Sequence, residues 1–162
     1  MSRLQLTIEP VSEPVAGHTP PFRRPAHMLL DVYGRQNELL RRVVDVKWDA
    51  AVLLAWLYDN RAILYEDVPP QELEGAGSIA ERIQAFYEKV DPDDTNALER
   101  VFRYRSSHGL RFALRGVDVP DAYLGRLCGR HYEVSCAEAG AVWSYQCDLP
   151  GFLKEIESFT VE

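Results

Sequence analysis

The chain has 162 residues, 46% of them hydrophobic, and a formal net charge of −7. That length fits one domain, and that composition excludes a disordered chain. The longest apolar run, Ala50 to Leu57, falls far short of the ~20 residues that span a bilayer, so no membrane association is expected.

Charge is distributed unevenly. Residues 1–47 are weakly basic, residues 100–162 are balanced, and residues 48–99 hold 12 acidic against 3 basic side chains. Such asymmetry bears on partners and encounter rates, not on fold. Three cysteines do not suggest a disulfide framework. The first residues, Met1 to Leu6, lack the apolar core of a signal peptide, which points to the cytoplasm.

Leu4, Leu6 and Ile8 alternate with Arg3, Gln5 and Thr7, a strand that Pro10 stops. Val11 to Pro25 is Pro-rich and reads as a crossing loop, with His18 an ordinary loop residue. His27 to Tyr33 is strand-like. Glu38 to Val46 fits a helix face or a returning strand, and its β-branched residues favour the strand.

Trp48 to Asp59 predicts a buried helix, apolar nearly all round, with Asp45 or Asp49 at its start and Asn60 at its end. Arg61 to Glu66 is a short extension or strand, and Gln71 to Gly77 an acidic loop. Ser78-Ile79-Ala80-Glu81 matches a capping box, opening a helix to Val90. Asp94 or Thr95 caps the next helix, with Leu98, Val101 and Phe102 as its apolar stripe and Gly109 as a left-handed cap.

Leu110 to Cys147 reads as a four-stranded meander: Leu110–Arg115, Ala122–Leu127, His131–Cys136 and Val142–Cys147. Its leftover face, Arg111, Arg115, His131, Glu133, Ser135, Ser144 and Gln146, is expected to be solvated. Leu149 to Phe159 closes the chain as an amphipathic helix. The expected fold class is α+β: one compact domain with an antiparallel meander packed on several helices. A β-rich part spans residues 1–47, a helical acidic middle 48–109, and the meander with its terminal helix 110–162.

No catalytic or cofactor motif is present. Cys128 and His131 have C-x-x-H spacing, but His131 and Cys136 fall on opposite faces of one strand, which argues against a metal site. Ser106-Ser107-His108 is adjacency, not a triad. A His in a helix's last turn is favoured as a cation by the dipole. Arg100, Arg103, Arg105, Arg111 and Arg115 form a run without an intervening acid inside Arg100–Arg115. The simpler reading pairs them with the acidic middle. The alternative is an anion or ligand site, or a small enzyme, around Arg105, His108, Arg111 and Arg115. Net charge −7 without a stacking-aromatic motif speaks against nucleic acid.

Glu66, Asp67, Glu72, Glu74, Asp91, Asp93 and Asp94 flank the Ser78 helix and suit docking of a basic protein, with Tyr65, Leu73 and Tyr87 as apolar anchors. Asp91-Pro92-Asp93-Asp94 lacks the Gly and Glu of a calcium loop. In size, acidity, Arg content, and a meander followed by a short terminal helix, the chain resembles the immunity proteins of bacterial polymorphic and contact-dependent toxins. The resemblance implies a non-enzymatic inhibitor, without a cofactor, that binds a basic toxin domain. It carries no motif from which site residues transfer.

Overall fold

The computed structural model describes residues 1–12 and 23–159, so most of the Pro-rich segment, His18 included, lies outside the described residues. The fold is α+β. Three strands, β1 (Arg3–Pro10), β2 (Pro25–Tyr33) and β3 (Leu39–Asp49), form one antiparallel sheet. Helices α1 (Ala50–Glu66), α2 (Ile79–Lys89), α3 (Thr95–His108) and α4 (Leu110–Ala113) follow, with a 3-10 turn at Gln71–Leu73. A second antiparallel sheet joins β4 (Ala122–Cys128), β5 (His131–Glu138) and β6 (Ala141–Gln146), and α5 (Leu149–Phe159) closes the chain.

The β reading of residues 38–46 holds. Leu30 opposes Val44 while Asp31 opposes Arg42, so the register skips Val43. The skip is a bulge, and it lets both Val43 and Val44 face the core. Asp49 ends β3 and caps α1, accepting from the Ala51 N–H at 3.0 Å and also from the N–H groups of Arg23 and Arg24.

Helix α1 runs past Asn60 to Glu66. Asn60 donates its side-chain amide back to the Trp56 carbonyl instead of ending the helix, and no Gly or Pro intervenes before Pro69. Nor is α1 buried all round. Leu53, Leu54, Leu57 and Leu64 form its inner stripe, while Val52 and Ala55 are exposed.

The largest correction concerns Leu110–Arg115, which is not a strand. Leu110, Ala113 and Leu114 are the buried positions, spaced i, i+3, i+4, and the Leu114 N–H donates to the Leu110 carbonyl at 3.0 Å. The meander therefore has three strands. Gly109 is no left-handed cap either: its φ is −90°, and it makes an isolated antiparallel bridge to Tyr123.

Two cores result. The larger one is shared by both sheets with α1, α4 and α5, and takes Leu4, Met28, Leu30, Leu53, Leu57, Leu110, Leu124, Val134, Cys136 and Phe152. The smaller one covers the opposite face of the second sheet with α2 and α3, through Leu73, Ile79, Ile83, Val101, Tyr104 and Tyr123. β4 buries Ala122, Tyr123 and Leu124 in succession, as a strand covered on both faces must. Among the described residues no helix is long and apolar enough to cross a membrane.

Candidate protein-docking groove

The polar face expected in solvent is in part buried. Glu133 and Ser135 on β5 are buried and meet the first turn of α2. Glu133 Oε1 accepts from the Ile79 N–H at 2.6 Å, and Ser135 Oγ accepts from the Ala80 N–H at 3.2 Å. Ser78 Oγ accepts from the Glu81 N–H while Glu81 accepts from the Ser78 N–H, completing the expected capping box. The first three N–H groups of α2 thus have acceptors from two places in the chain. The bonds from Ser78 also hold the Glu81 carboxyl below the usual carboxylate range.

So fixed, α2 forms one wall of a groove of about 540 Å³. The 3-10 turn and the residues after it supply Glu72 and Glu74, the α2–α3 turn supplies Asp91 and Asp94, and Phe86 and Val90 give it an apolar floor. Four of the seven carboxylates singled out from the sequence therefore line one groove. Arg82 and Lys89 line it too, but Arg82 Nε donates to the Gly77 carbonyl.

These carboxylates differ in duty. Asp94 caps α3, accepting from the Ala97 N–H at 3.0 Å, and Asp91 accepts from the Asp93 N–H at 2.9 Å. Glu72 pairs with Arg100 of α3. Its own backbone N–H, and then Arg100, hold its carboxyl below the usual range. The side chains of Glu74 and Asp93 are exposed and make no hydrogen bond or ion pair among the described residues. Glu66 is likewise exposed, and Asp67 lines a separate groove with Arg100 and Arg103.

Of the anchors read from sequence, Leu73 is buried in the smaller core and reaches no partner. Tyr65 is exposed and stacks on Tyr132, with ring centroids 5.9 Å apart. Tyr87 is exposed but lies over Arg105 in a different cleft. Phe86 and Val90, the floor, belong to the apolar stripe of α2 and its end, and only the groove's geometry puts them on the same surface as the carboxylates.

The arginine run is mostly paired, though with the acidic middle only in part. Arg100 meets Glu72, Arg103 meets Glu99 at 3.2 Å, Arg105 meets Asp121 at 3.6 Å and Arg111 meets Glu138 at 2.6 Å. Arg105 and Arg111 share a cleft of about 420 Å³ with Tyr87, Asp121, Tyr123 and Glu138. Arg105 Nε donates to the Tyr123 hydroxyl at 3.0 Å. The other two members of the alternative anion site are elsewhere. Arg115 lies over the Phe112 ring, and His108 is fully buried.

His108 stacks on Tyr104, with centroids 3.8 Å apart, and its Nδ1 lies 2.8 Å from the Tyr104 carbonyl. Burial lowers its pKa to about 4, against the raising effect of that carbonyl. It is therefore neutral at pH 7, not the cation that a helix C-terminus favours. Burial pushes the Tyr104 hydroxyl up as well. A Cβ at Gly125 would sit 2.9 Å from His108 Cδ2, so only glycine lets α3 approach β4 this closely.

Cys136 and Cys147 are buried in the larger core and Cys128 is exposed. Among the described residues no group of three or more His, Cys, Asp or Glu is placed to hold a metal. No family model matches the sequence, and neither a curated protein nor a solved structure matches it.

Proposed function

We propose that this protein is a non-enzymatic inhibitor, an immunity protein that neutralises a cognate bacterial toxin by binding it directly. The groove between the 3-10 turn, α2 and the α2–α3 turn receives a basic surface of the toxin domain. The observation that carries this reading is the convergence of Glu72, Glu74, Asp91 and Asp94 around the Phe86–Val90 floor.

Clustered carboxylates create a field that steers a cationic surface inward and discourages wrong partners. Tightness needs desolvated apolar contact beside the charges, and the floor supplies it. The groove is also firmly built, since α2 is fixed by Glu133 and Ser135 and α3 by Asp94. A pre-formed surface loses less ordering entropy on binding. An anion-binding enzyme site has less support: Arg105 and Arg111 already face carboxylates, and His108 is sealed in the core.

The test is to mix the protein with the basic domain encoded beside its gene. An equimolar complex that silences the domain, weakened by Glu74→Lys with Asp93→Lys, is the expected result. No complex, or a complex indifferent to both reversals, sinks the reading.

A further inference from the structure

Helix α2 divides the acidic groove from the cleft of about 420 Å³ on its opposite face, and the two share no lining residue. Ala80, Ile83 and Tyr87 of α2, Tyr123 of β4 and Ala137 of β5 give this cleft an apolar wall. Concave sites of this size, mostly apolar with a few convergent polar groups, take small molecules. Burial first, and Asp121 next, push the Tyr123 hydroxyl up, so it stays neutral.

Both signs of charge line the cleft, but they are not equally employed. Glu138 Oε1 accepts from Arg111 Nη2 at 2.6 Å and from the Asp121 N–H at 2.9 Å, and Arg111 Nε donates to the Val119 carbonyl at 3.1 Å. These bonds hold the chain that enters β4. Glu88 stays exposed at the rim, accepting from Gln84 at 3.2 Å. Arg105 and Asp121 differ. Arg105 is set in place by the Tyr123 hydroxyl, 3.0 Å from its Nε, and by the Tyr87 ring, whose centroid lies 5.0 Å from Cζ. Its Nη2 stands 3.6 Å from Asp121 Oδ2, beyond hydrogen-bond length. Asp121 Oδ1 is buried and has no hydrogen-bond partner among the described residues. Buried acceptors are almost always satisfied, so this one calls for a donor. The Asp121 side chain is 24% exposed, which leaves the carboxylate reachable from the cleft.

A guanidinium and a carboxylate thus stand side by side, each with hydrogen-bonding capacity that the fold does not use. A simple anion would meet Asp121 and Glu138 here, and a simple cation would meet Arg105 and Arg111. A ligand that carries an ammonium and a carboxylate on one carbon satisfies both partners at once. Its carboxylate takes Arg105, its ammonium takes Asp121, and both bonds are charge-assisted. Its side chain then lies on the wall of Ile83, Tyr87 and Ala137. We infer that this cleft is a binding site for a free α-amino acid with an apolar side chain, held by Arg105 and Asp121. The inference goes beyond the docking reading and does not depend on it, because no residue of the cleft lines the acidic groove.

Isothermal titration calorimetry with L-leucine and L-phenylalanine tests it. At least one of them should saturate the protein with a dissociation constant below about 1 mM. Phenethylamine keeps the ring and the ammonium, and hydrocinnamate keeps the ring and the carboxylate. Each should bind the wild type at least about tenfold more weakly than phenylalanine, having lost one charged hydrogen-bonding group. Asp121→Asn should weaken the amino acid at least about tenfold as well, with little change in melting temperature. The two analogues are tested on the wild type, so they decide the matter even where the variant folds poorly. No binding of either amino acid up to about 10 mM overturns the inference. So does an analogue that binds as tightly as phenylalanine, which would make the site one for a plain anion or a plain cation. A folded Asp121→Asn protein with unchanged affinity overturns it too.

Discussion

Glu133 is where the two halves of the second core are joined, and its removal gives the sharpest stability prediction. Glu133→Ala leaves the Ile79 N–H buried with no acceptor. An orphaned buried donor costs about 1–3 kcal/mol. Losing a negative group from a helix N-terminus adds about 0.3–1 kcal/mol, more when the site is buried. The expected loss is therefore about 2–4 kcal/mol, or several degrees in Tm for a domain of this size. Glu133→Gln keeps an oxygen at the same place and loses only the charge, so it should cost about 1 kcal/mol. Ser135→Ala should fall between them, because its bond to the Ala80 N–H is longer. Urea denaturation measures all three, and amide exchange at Ile79 and Ala80 localises the damage to α2. An alanine variant within about 0.5 kcal/mol of wild type would refute this account of how α2 is held, that being the size of an ordinary surface change. A glutamine variant as damaged as the alanine one would refute the hydrogen-bond argument.

Two further expectations follow from burial. His108 stays neutral in the fold and has a pKa of about 4, whereas an unfolded histidine titrates near 6.5. The unfolded state gains its proton first as pH falls, so stability should decline from about pH 6.5 to about pH 4, by roughly 3 kcal/mol, and then stop responding to this group. His108→Gln should flatten the slope between about pH 6.5 and 5, above the usual carboxylate range, and an unchanged slope would contradict the assignment. Burial pushes Cys147 up to about 12 and raises Cys136, so a thiol reagent should label Cys128 alone in the native protein and all three cysteines in urea. Fast native labelling of a second thiol would contradict the core placement.

Much of the scaffold was legible in the chain because local chemistry and tertiary packing agree there. The β1 alternation, the Ser78 capping box and the Asp94 cap all use residues whose local preference is the structure's own. Leu110–Arg115 misled because its apolar spacing satisfies both periods, and only burial of Ala113 with Leu110 and Leu114 decides for the helix. The solvated-face reading failed for a related reason. Parity correctly placed Glu133 and Ser135 opposite Tyr132 and Val134, but nothing in β5 announces that a helix end will cover them. The signal lay in β4, where Ala122, Tyr123 and Leu124 run without a polar gap. The acidic cluster was visible as composition. The distinction between capping aspartates and free carboxylates was not, because it depends on which backbone N–H each one meets.

That distinction makes the docking claim testable without confounding it with stability. Among the described residues the side chains of Glu74 and Asp93 make no hydrogen bond or ion pair, whereas Asp94 caps α3 and Glu72 holds Arg100. The decisive measurement is the association rate of the proposed basic partner domain with wild type and with the Glu74→Lys, Asp93→Lys double variant, at low and physiological salt, alongside their melting temperatures. The account predicts that the wild-type rate falls steeply with salt, screened over about 8 Å at physiological strength. It predicts that the double variant associates roughly tenfold or more slowly at low salt, and that both proteins melt within about a degree of each other. An unchanged association rate together with a lowered melting temperature would contradict it, and would assign these carboxylates to the fold alone.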